Sequence, residues 1–553
     1  MTSGWNLAEI WERTADRFPE AISQIQGDRV FTWRDFDRRA DGIAKTLLDA
    51  GAQHQDKVAQ YLYNCPEYME SMFGIFKAAL VPVNTNYRYT DDEIVYLWDN
   101  ADAIAVIFHG TFATRCDALR ARLPAIRSWL WVDDGSGECP EWATPYEAAA
   151  ASAKDRTNPD WGRSADDLYM LYTGGTTGMP KGVMWRQDDV LHSLDVAPKN
   201  PLPDVPGWDA VDAAVTRPGP RNLAAAPLMH GTGAFNAMRN FSVAGSVVTL
   251  QGRHFDPIEL LDTVEVLHVN SVSIVGDAFA KPILRALDAE PERWDISSLR
   301  VMISSGVMWS SQTKAGLLRH NARLIMVDSL GSSEAIGMGT NTTDAGTAGE
   351  NARFVLSDKT KVLNEDGEEV RPGSGERGRV AIRGRTPVGY YKDPDKSAST
   401  FVTFEGVRWS IPGDFAEVDA DGTVRFLGRG SQCINTGGEK VYPEEVEEAL
   451  KNYPGVADAA VVGLPDDRFG EAITALVEPL DGAKLDEVAL VLNVKETLAA
   501  FKAPKRLFVV DTVGRAANGK LDYQSLKIEA ARLAEVSLDM SHRARPLPAD
   551  PSS

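Results

Sequence analysis

Apolar positions in the first 110 residues alternate between two periods. Residues 1–20 carry Trp5, Leu7, Ile10 and Trp11 among charged side chains, the pattern of an amphipathic first helix. Over 33–50, Phe36, Ala40, Ile43, Ala44, Leu47 and Leu48 follow helical spacing and stop before Gly51, as a helix C-terminus should. Residues 56–62 read as a strand, 66–79 as a helix, 81–83 as the start of a strand, 92–100 as a helix and 103–108 as a strand. Such alternation predicts an α/β fold built on crossover connections.

Further along, Tyr169 to Tyr172 form a short apolar run, expected as a buried strand that opens into a glycine-rich loop. Residues 197–221 are rich in proline, aspartate and glycine without periodicity, and are expected to be a surface insertion, with a lid over a ligand as the alternative. A helix is expected from Phe235, strands at 247–250, 268–275 and 299–304, and a helix at 281–287. Asp366-Gly367 and Asp421-Gly422, each flanked by alternating residues, predict hairpins and a β-rich subdomain. After Gly428-Arg429-Gly430 a compact set follows: helices at 443–450, 485–501 and 523–533, and strands at 459–462, 473–477 and 507–510. We place the boundaries at 1–428, 429–540 and a tail at 541–553, frayed from 544.

The length of 553 residues requires more than one core, and the apolar and charged fractions are those of a globular protein. A net charge of −21 argues against a nucleic-acid binder and makes any cationic pocket a local feature. Four scattered cysteines, Cys65, Cys116, Cys139 and Cys433, suggest neither a disulfide framework nor a zinc site. No apolar run is long enough to span a bilayer and the N-terminus lacks a signal-peptide core, so a cytoplasmic protein is expected, with peripheral membrane contact left open.

The chemistry concentrates in Thr173-Gly174-Gly175-Thr176-Thr177-Gly178-Met179-Pro180-Lys181-Gly182. Its glycines let backbone N–H groups turn toward one point, with two threonine hydroxyls and a lysine beside them, which makes an anion cradle. A Walker loop would need Gly-Lys-Ser/Thr opening a helix; here proline precedes the lysine and glycine follows it. The loop resembles instead the phosphate loop of the adenylate-forming enzymes, the superfamily of acyl-CoA synthetases, adenylation domains and luciferases. Further motifs in the family's order extend the resemblance over nearly the whole chain.

The resemblance implies a large AMP-binding domain of sheets sandwiched with helices, carrying a β-rich subdomain, and a small mobile α+β C-terminal domain. It also implies the partners: ATP, Mg2+, CoA and a small carboxylic acid. Thr173, Gly174, Gly175, Thr176, Thr177, Gly178 and Lys181 would hold the β- and γ-phosphates. In Asp328-Ser329-Leu330-Gly331-Ser332-Ser333-Glu334, Glu334 matches the magnesium-coordinating glutamate and Asp328 the contact to the adenine amino group, although a glutamate after Gly-Ser-Ser is otherwise a common helix N-terminal residue. Ser304-Ser305-Gly306-Val307 resembles the segment along the adenine and acyl pocket, with Gly306 and Val307 beside the nucleotide. Asp414, after Pro412-Gly413, and Arg429 match the two ribose contacts, Gln432 the hinge, and Lys520 the catalytic lysine. Gly437-Gly438-Glu439-Lys440 resembles the segment that swings in to line the CoA channel for thioester formation. His230 matches a residue that orients or gates the substrate carboxylate, beside an acyl pocket of Met229, Thr232, Phe235, Gly276, Gly306 and Gly331.

Five positions depart from the family pattern. Gly174 stands where serine or threonine is usual, Leu330 replaces the aromatic that stacks on adenine, Gln432 replaces the hinge aspartate or lysine, and Gly514 and Ala516 replace proline and threonine near Lys520. The combination of Tyr172 to Gly178, Gly331-Ser332-Ser333-Glu334 and Gly437 to Val446 resembles a bacterial acyl-CoA synthetase subgroup that includes enzymes acting on steroid side-chain acids. The small and apolar acyl wall, over 228–238, 276–279 and Gly306, predicts a bulky apolar acid, a steroid side-chain acid ahead of a medium- or long-chain fatty acid. Two other readings stand beside it: an adenylating enzyme loading a carrier protein in trans, and a non-catalytic nucleotide or acyl binder. A homodimer is allowed; no nucleic acid or integral membrane segment is expected.

Overall fold

The computed structural model describes residues 4–175, 178–194, 202–306, 309–347, 353–404, 406–436, 439–466, 470–516 and 521–543. The chain divides into two compact units, one of residues 1–361 and 380–412, the other of 362–379 and 413–553.

The first unit is built on two large sheets. One has nine strands in the order Val355–Leu356, Ala335–Thr343, Ile325–Ser332, Val301–Ser305, Ser271–Ile274, Arg221–Ala224, Ser246–Val248, Ile22–Gln26 and Arg29–Thr32. Its centre is parallel from Ile325–Ser332 to Ile22–Gln26, and its edges are antiparallel. The other has eight strands, in the order Gly389–Tyr390, Gly178–Arg186, Leu168–Gly175, Val81–Asn84, Lys57–Tyr61, Ala103–His109, Ser128–Val132 and Thr144–Pro145. All seven residues of Ala103–His109 are buried, which is why that segment reads as a continuous apolar run.

Helices fill the space around these sheets as the spacing predicts. Trp33–Asp49 opens with a Thr32/Asp35 capping box and Asp91–Asn100 with a Thr90/Glu93 one. Pro66–Lys77 is buried along its whole length. The first helix, Leu7–Arg17, packs Trp11 edge-on against Phe73 and Phe241, in a cluster completed by Trp33 and Phe36. Lys77, fully buried, holds that helix from below with its ammonium 3.1 Å from Glu12, 2.6 Å from Asp37 and 2.7 Å from Asp41. Among its described residues the aperiodic stretch carries one short helix, Trp208–Ala214, which is tied to the first helix through Arg13 and Arg17 to Asp212 and to the segment before that helix through Trp5 and Trp208. Among the described residues no helix is long and apolar enough to cross a membrane. None of the four cysteines is in a disulfide.

In the second unit the Asp421-Gly422 turn joins Asp414–Val418 to Val424–Arg429, as expected. A five-stranded sheet follows: Glu439–Val441, Ile434–Thr436, Gly470–Pro479 and Val456–Asp466 in order, with Arg506–Val509 parallel to Gly470–Pro479. Val456–Asp466 and Gly470–Pro479 run longer than their apolar centres predicted, because their polar ends stay paired out to Asp466 and Gly470. Along Val456–Asp466, Ala459 and Val461 face a core with Pro443–Lys451 and Glu487–Thr497, while Ala460 and Val462 face Tyr523–Arg543, the period of two expected of a strand covered on both sides.

Candidate active site

Strand Leu168–Gly175 returns as Gly178–Arg186, so the glycine-rich motif is the tip of a hairpin rather than a loop leading into a helix. Thr173 registers with Lys181 and Gly175 with Gly178, and the extra residue, Gly174, makes a bulge that turns the strand out of its ladder. Lys181 pairs with Asp393 at 2.5 Å and lies 5.9 Å above the ring of Tyr390. That ion pair is the first cause holding the Asp393 carboxyl below the usual carboxylate range. Thr176 and Thr177 lie outside the described residues.

Glu334 opens no helix; it stands in the turn between Ile325–Ser332 and Ala335–Thr343, where Ser332 registers with Ala335. Four contacts fix the turn. The Glu334 N–H donates to Ser332 Oγ at 3.2 Å and Ser410 Oγ donates to the Glu334 carbonyl at 2.7 Å. Trp185 Nε1 donates to the Ser333 carbonyl at 2.8 Å, and the Tyr390 hydroxyl donates to Glu334 Oε1 at 2.9 Å. Trp185 lies on the return strand of the glycine-rich hairpin and Tyr390 on the strand paired with it, so the sheet that carries Lys181 also holds Glu334.

The carboxyl ends of the parallel strands in the nine-stranded sheet share one edge, the place where open α/β sheets hold ligands. There the Gly276 N–H donates to Ser304 Oγ at 2.8 Å, tying two strand ends together. Gly276 and Gly306 have φ of +52° and +93°, conformations in which a side chain would be strained. Asp328, on the adjoining strand, is buried and ion-paired with Lys314, and Asn341 Nδ2 donates to the same carboxylate oxygen at 3.1 Å. Burial pushes the Asp328 carboxyl up while Lys314 opposes it. This carboxylate is therefore committed within the protein. Leu330 is buried on the same strand, Ser329 is half-buried beside it, and Val307 lies outside the described residues.

His230, half-buried, precedes helix Gly231–Ser242, which starts four residues earlier than Phe235 suggested. A Cβ at Gly233 would come within 2.3 Å of the Pro227 carbonyl, so glycine is needed for the helix to fold back on its entry loop. Phe235 reaches Tyr169 of the glycine-rich hairpin, ring centroids 6.1 Å apart. Thr232 lies in the first turn and its carbonyl accepts from Asn236. Met229 is buried and its carbonyl accepts from Asn84 Nδ2 at 2.8 Å.

In the second unit Asp414 is buried and registers opposite Arg429 on the neighbouring strand. Gln432 ends a short 3-10 turn, Gly430–Gln432, and Glu439 and Lys440 start the strand registered with Ile434–Thr436. Gly437, Gly438 and Lys520 lie outside the described residues. Sequence reasoning missed Tyr390, Asp393, Trp185, Lys314 and Asn84. The first two follow one another closely in Gly389-Tyr390-Tyr391-Lys392-Asp393-Pro394, a turn signal ahead of a proline-started helix that could have marked them.

Comparison with known proteins agrees with this geometry. The AMP-binding enzyme family matches residues 11–391 and the AMP-binding enzyme C-terminal domain matches 445–520. The chain is 40% identical, over 94% of its length and 96% of the relative's, to the medium/long-chain-fatty-acid and 3-oxocholest-4-en-26-oate CoA ligase of Mycolicibacterium smegmatis. It is 38% identical, over 94% of its length and 95% of the relative's, to the 3-oxocholest-4-en-26-oate CoA ligase of Rhodococcus rhodochrous. In fold it is similar to the anthranilate CoA ligase AuaEII in complex with anthranoyl-AMP, with a TM-score of 0.82 at 22% identity, covering 97% of this chain and 99% of that one. The chain belongs to the AMP-binding enzyme family, in its ATP-dependent acyl-CoA synthetase branch.

Proposed function

We propose that this synthetase activates a bulky apolar acid, a steroid side-chain acid or a medium- or long-chain fatty acid. A carboxylate oxygen of the acid attacks the α-phosphorus of ATP, the bond to the β-phosphate oxygen breaks, and pyrophosphate leaves. The CoA thiolate then attacks the acyl carbonyl and AMP departs. What supports the substrate class is the 40% identity to a ligase named for those acids, together with an acyl wall of Met229, Thr232, Phe235, Gly276, Gly306 and Gly331.

Two anions meet in the first step, so the protein's part is to neutralise and orient charge. Lys181 and the backbone of 173–178 bind the outer phosphates, Asp414 and Arg429 the ribose, and Lys520 spans the attacking carboxylate and the α-phosphate. The strand end from Ser304 to Val307 and that from Asp328 to Ser333 line adenine. Because Lys314 and Asn341 occupy the Asp328 carboxylate, that residue meets the base through its main chain, and Leu330 packs on the ring as an aliphatic surface. His230 orients the acid's carboxylate. For the second step, 429–540 turns about Gln432 and presents Gly437 to Lys440 along the CoA path.

Mg2+ fits the donor present: Glu334 offers a hard carboxylate oxygen, the ligand type this ion takes. Bound there, it would offset charge on the phosphates. The reaction's use of ATP and CoA suits the cytoplasm, and a homodimer is the assembly we propose to examine by sedimentation.

Pyrophosphate release on adding acid and ATP tests the scheme. Lys520→Ala should abolish it while ATP still binds; adenylation intact in Lys520→Ala would remove the lysine from the scheme. Turnover with free CoA separates this reading from carrier-protein loading.

A further inference from the structure

Asn84 ends the strand Val81–Asn84 and is 6% exposed. The ladder between this strand and Leu168–Gly175 registers Val83 with Met170. Two residues on, a side chain takes over from the main chain: the Tyr172 N–H donates to Asn84 Oδ1 at 2.6 Å, and Asn84 Nδ2 donates to the Tyr172 carbonyl at 2.8 Å. The second Nδ2 hydrogen goes elsewhere, to the Met229 carbonyl at 2.8 Å. One planar carboxamide thus grips the residue before Thr173 and the residue before His230. Its two sides cannot move independently without breaking a buried hydrogen bond.

Asn64 provides an internal contrast. Its Nδ2 donates to the carbonyls of Ala224 and Ala226 at 2.9 and 3.1 Å, and its Oδ1 accepts from the Leu228 N–H at 2.7 Å. It therefore fixes the same acyl-side loop, and among the described residues none of its side-chain hydrogen bonds goes to the glycine-rich hairpin.

We propose that Asn84 is a positioning residue that couples the nucleotide side of the site to the acyl side, so that ordering the hairpin around phosphates also sets the Met229–His230 backbone for the acid. This rests on the reading of the two sides given above. Coupling of this kind is reciprocal: whatever ATP does for acid affinity, acid does for ATP affinity.

The test is calorimetric titration of dodecanoate into the full chain, with and without the α,β-methylene analogue of ATP and magnesium. The variants are Asn84→Asp, Asn84→Ser and Asn64→Asp. In the wild type the analogue should tighten dodecanoate binding by about tenfold, within the usual range for coupled sites. Asn84→Asp keeps the acceptor and loses both donors, and Asn84→Ser keeps one hydroxyl should the buried carboxylate unfold the chain. Both should bring the factor below about twofold, whereas Asn64→Asp should weaken dodecanoate binding and keep the factor. A role in folding alone would lower the melting temperature of the Asn84 variants and leave the factor at the wild-type value, which would overturn the proposal. A wild type that binds both ligands without coupling would overturn it as well. Failure of the wild type to bind the ATP analogue with magnesium would instead contradict the site reading itself.

Discussion

The Tyr390 hydroxyl donates to Glu334 Oε1 at 2.9 Å, and both side chains are buried. Tyr390 belongs to a two-residue strand at the edge of the eight-stranded sheet, and Glu334 to a turn of the nine-stranded one. The same tyrosine ring lies under the Lys181 ammonium. One side chain thus orients the proposed magnesium carboxylate and shelters the proposed phosphate lysine.

Tyr390→Phe removes the hydroxyl and leaves the ring for Lys181. A hydrogen bond to a charged group contributes about 1.5–3 kcal/mol, so adenylation should slow by roughly 10- to 100-fold if Glu334 must be aimed for chemistry. Pyrophosphate release at saturating ATP measures this. An unchanged rate would mean that the Ser410 and Trp185 contacts to the turn suffice.

Asp393→Asn addresses the counter-ion of Lys181. Asparagine still caps helix Pro394–Thr400, since the Asp393 carboxylate accepts from the Lys396 N–H at 3.0 Å and an amide oxygen can do the same. The half-exposed pair with Lys181 contributes at most about 1 kcal/mol, and ATP must displace it. The KM for ATP should fall by no more than about fivefold, with steeper dependence on salt. A raised KM would show that Asp393 helps hold the nucleotide.

How much of this was legible follows from where the information lies. The helices at Pro66–Lys77 and Asp91–Asn100 and the strand Ala103–His109 came from periodicity, because each buries one consistent face or none of its faces is wet. The glycine-rich motif reads as a phosphate loop, but its hairpin form depends on pairing between Thr173 and Lys181, which a linear reading does not weigh. Glu334 could be named from its neighbours, whereas Tyr390 reaches it from 56 positions away and Trp185 reaches the adjoining Ser333 carbonyl from 148. Asp328 illustrates the opposite case: the resemblance points to its position, and the partner that occupies its carboxylate, Lys314 on helix Ser311–His320, belongs to no motif.

Lys77→Met should be the most damaging of the substitutions away from the site. Removing the ammonium leaves Glu12, Asp37 and Asp41 around a dry position, and loss of one partner from a buried charge group costs about 3–5 kcal/mol. Urea unfolding followed by tryptophan fluorescence should report the loss through Trp11 and Trp33. A midpoint within error of the wild type would show that water reaches the cluster.

His109 makes the stability depend on pH. Burial pushes its imidazole down to about 4, and Nδ1 accepts the Tyr63 N–H at 3.1 Å, which requires that nitrogen to be unprotonated. The ordinary value is 6.5, so the unfolded chain binds the extra proton between 6.5 and about 4. The contribution is complete above pH 6.5 and is lost as pH falls through that window. His109→Asn keeps an acceptor for Tyr63 and should flatten the variant's own loss of stability over the same range, so that the difference between the two proteins changes with pH. A parallel decline in both would assign the acid sensitivity to other groups.

The central claim concerns the acid. CoA-thioester formation by the full chain, with ATP and magnesium, should be compared at equal concentrations of a steroid side-chain acid, dodecanoate and benzoate. We expect the highest kcat/KM for the steroid acid or dodecanoate. A preference for benzoate would contradict the bulky apolar pocket drawn from Met229 to Gly306.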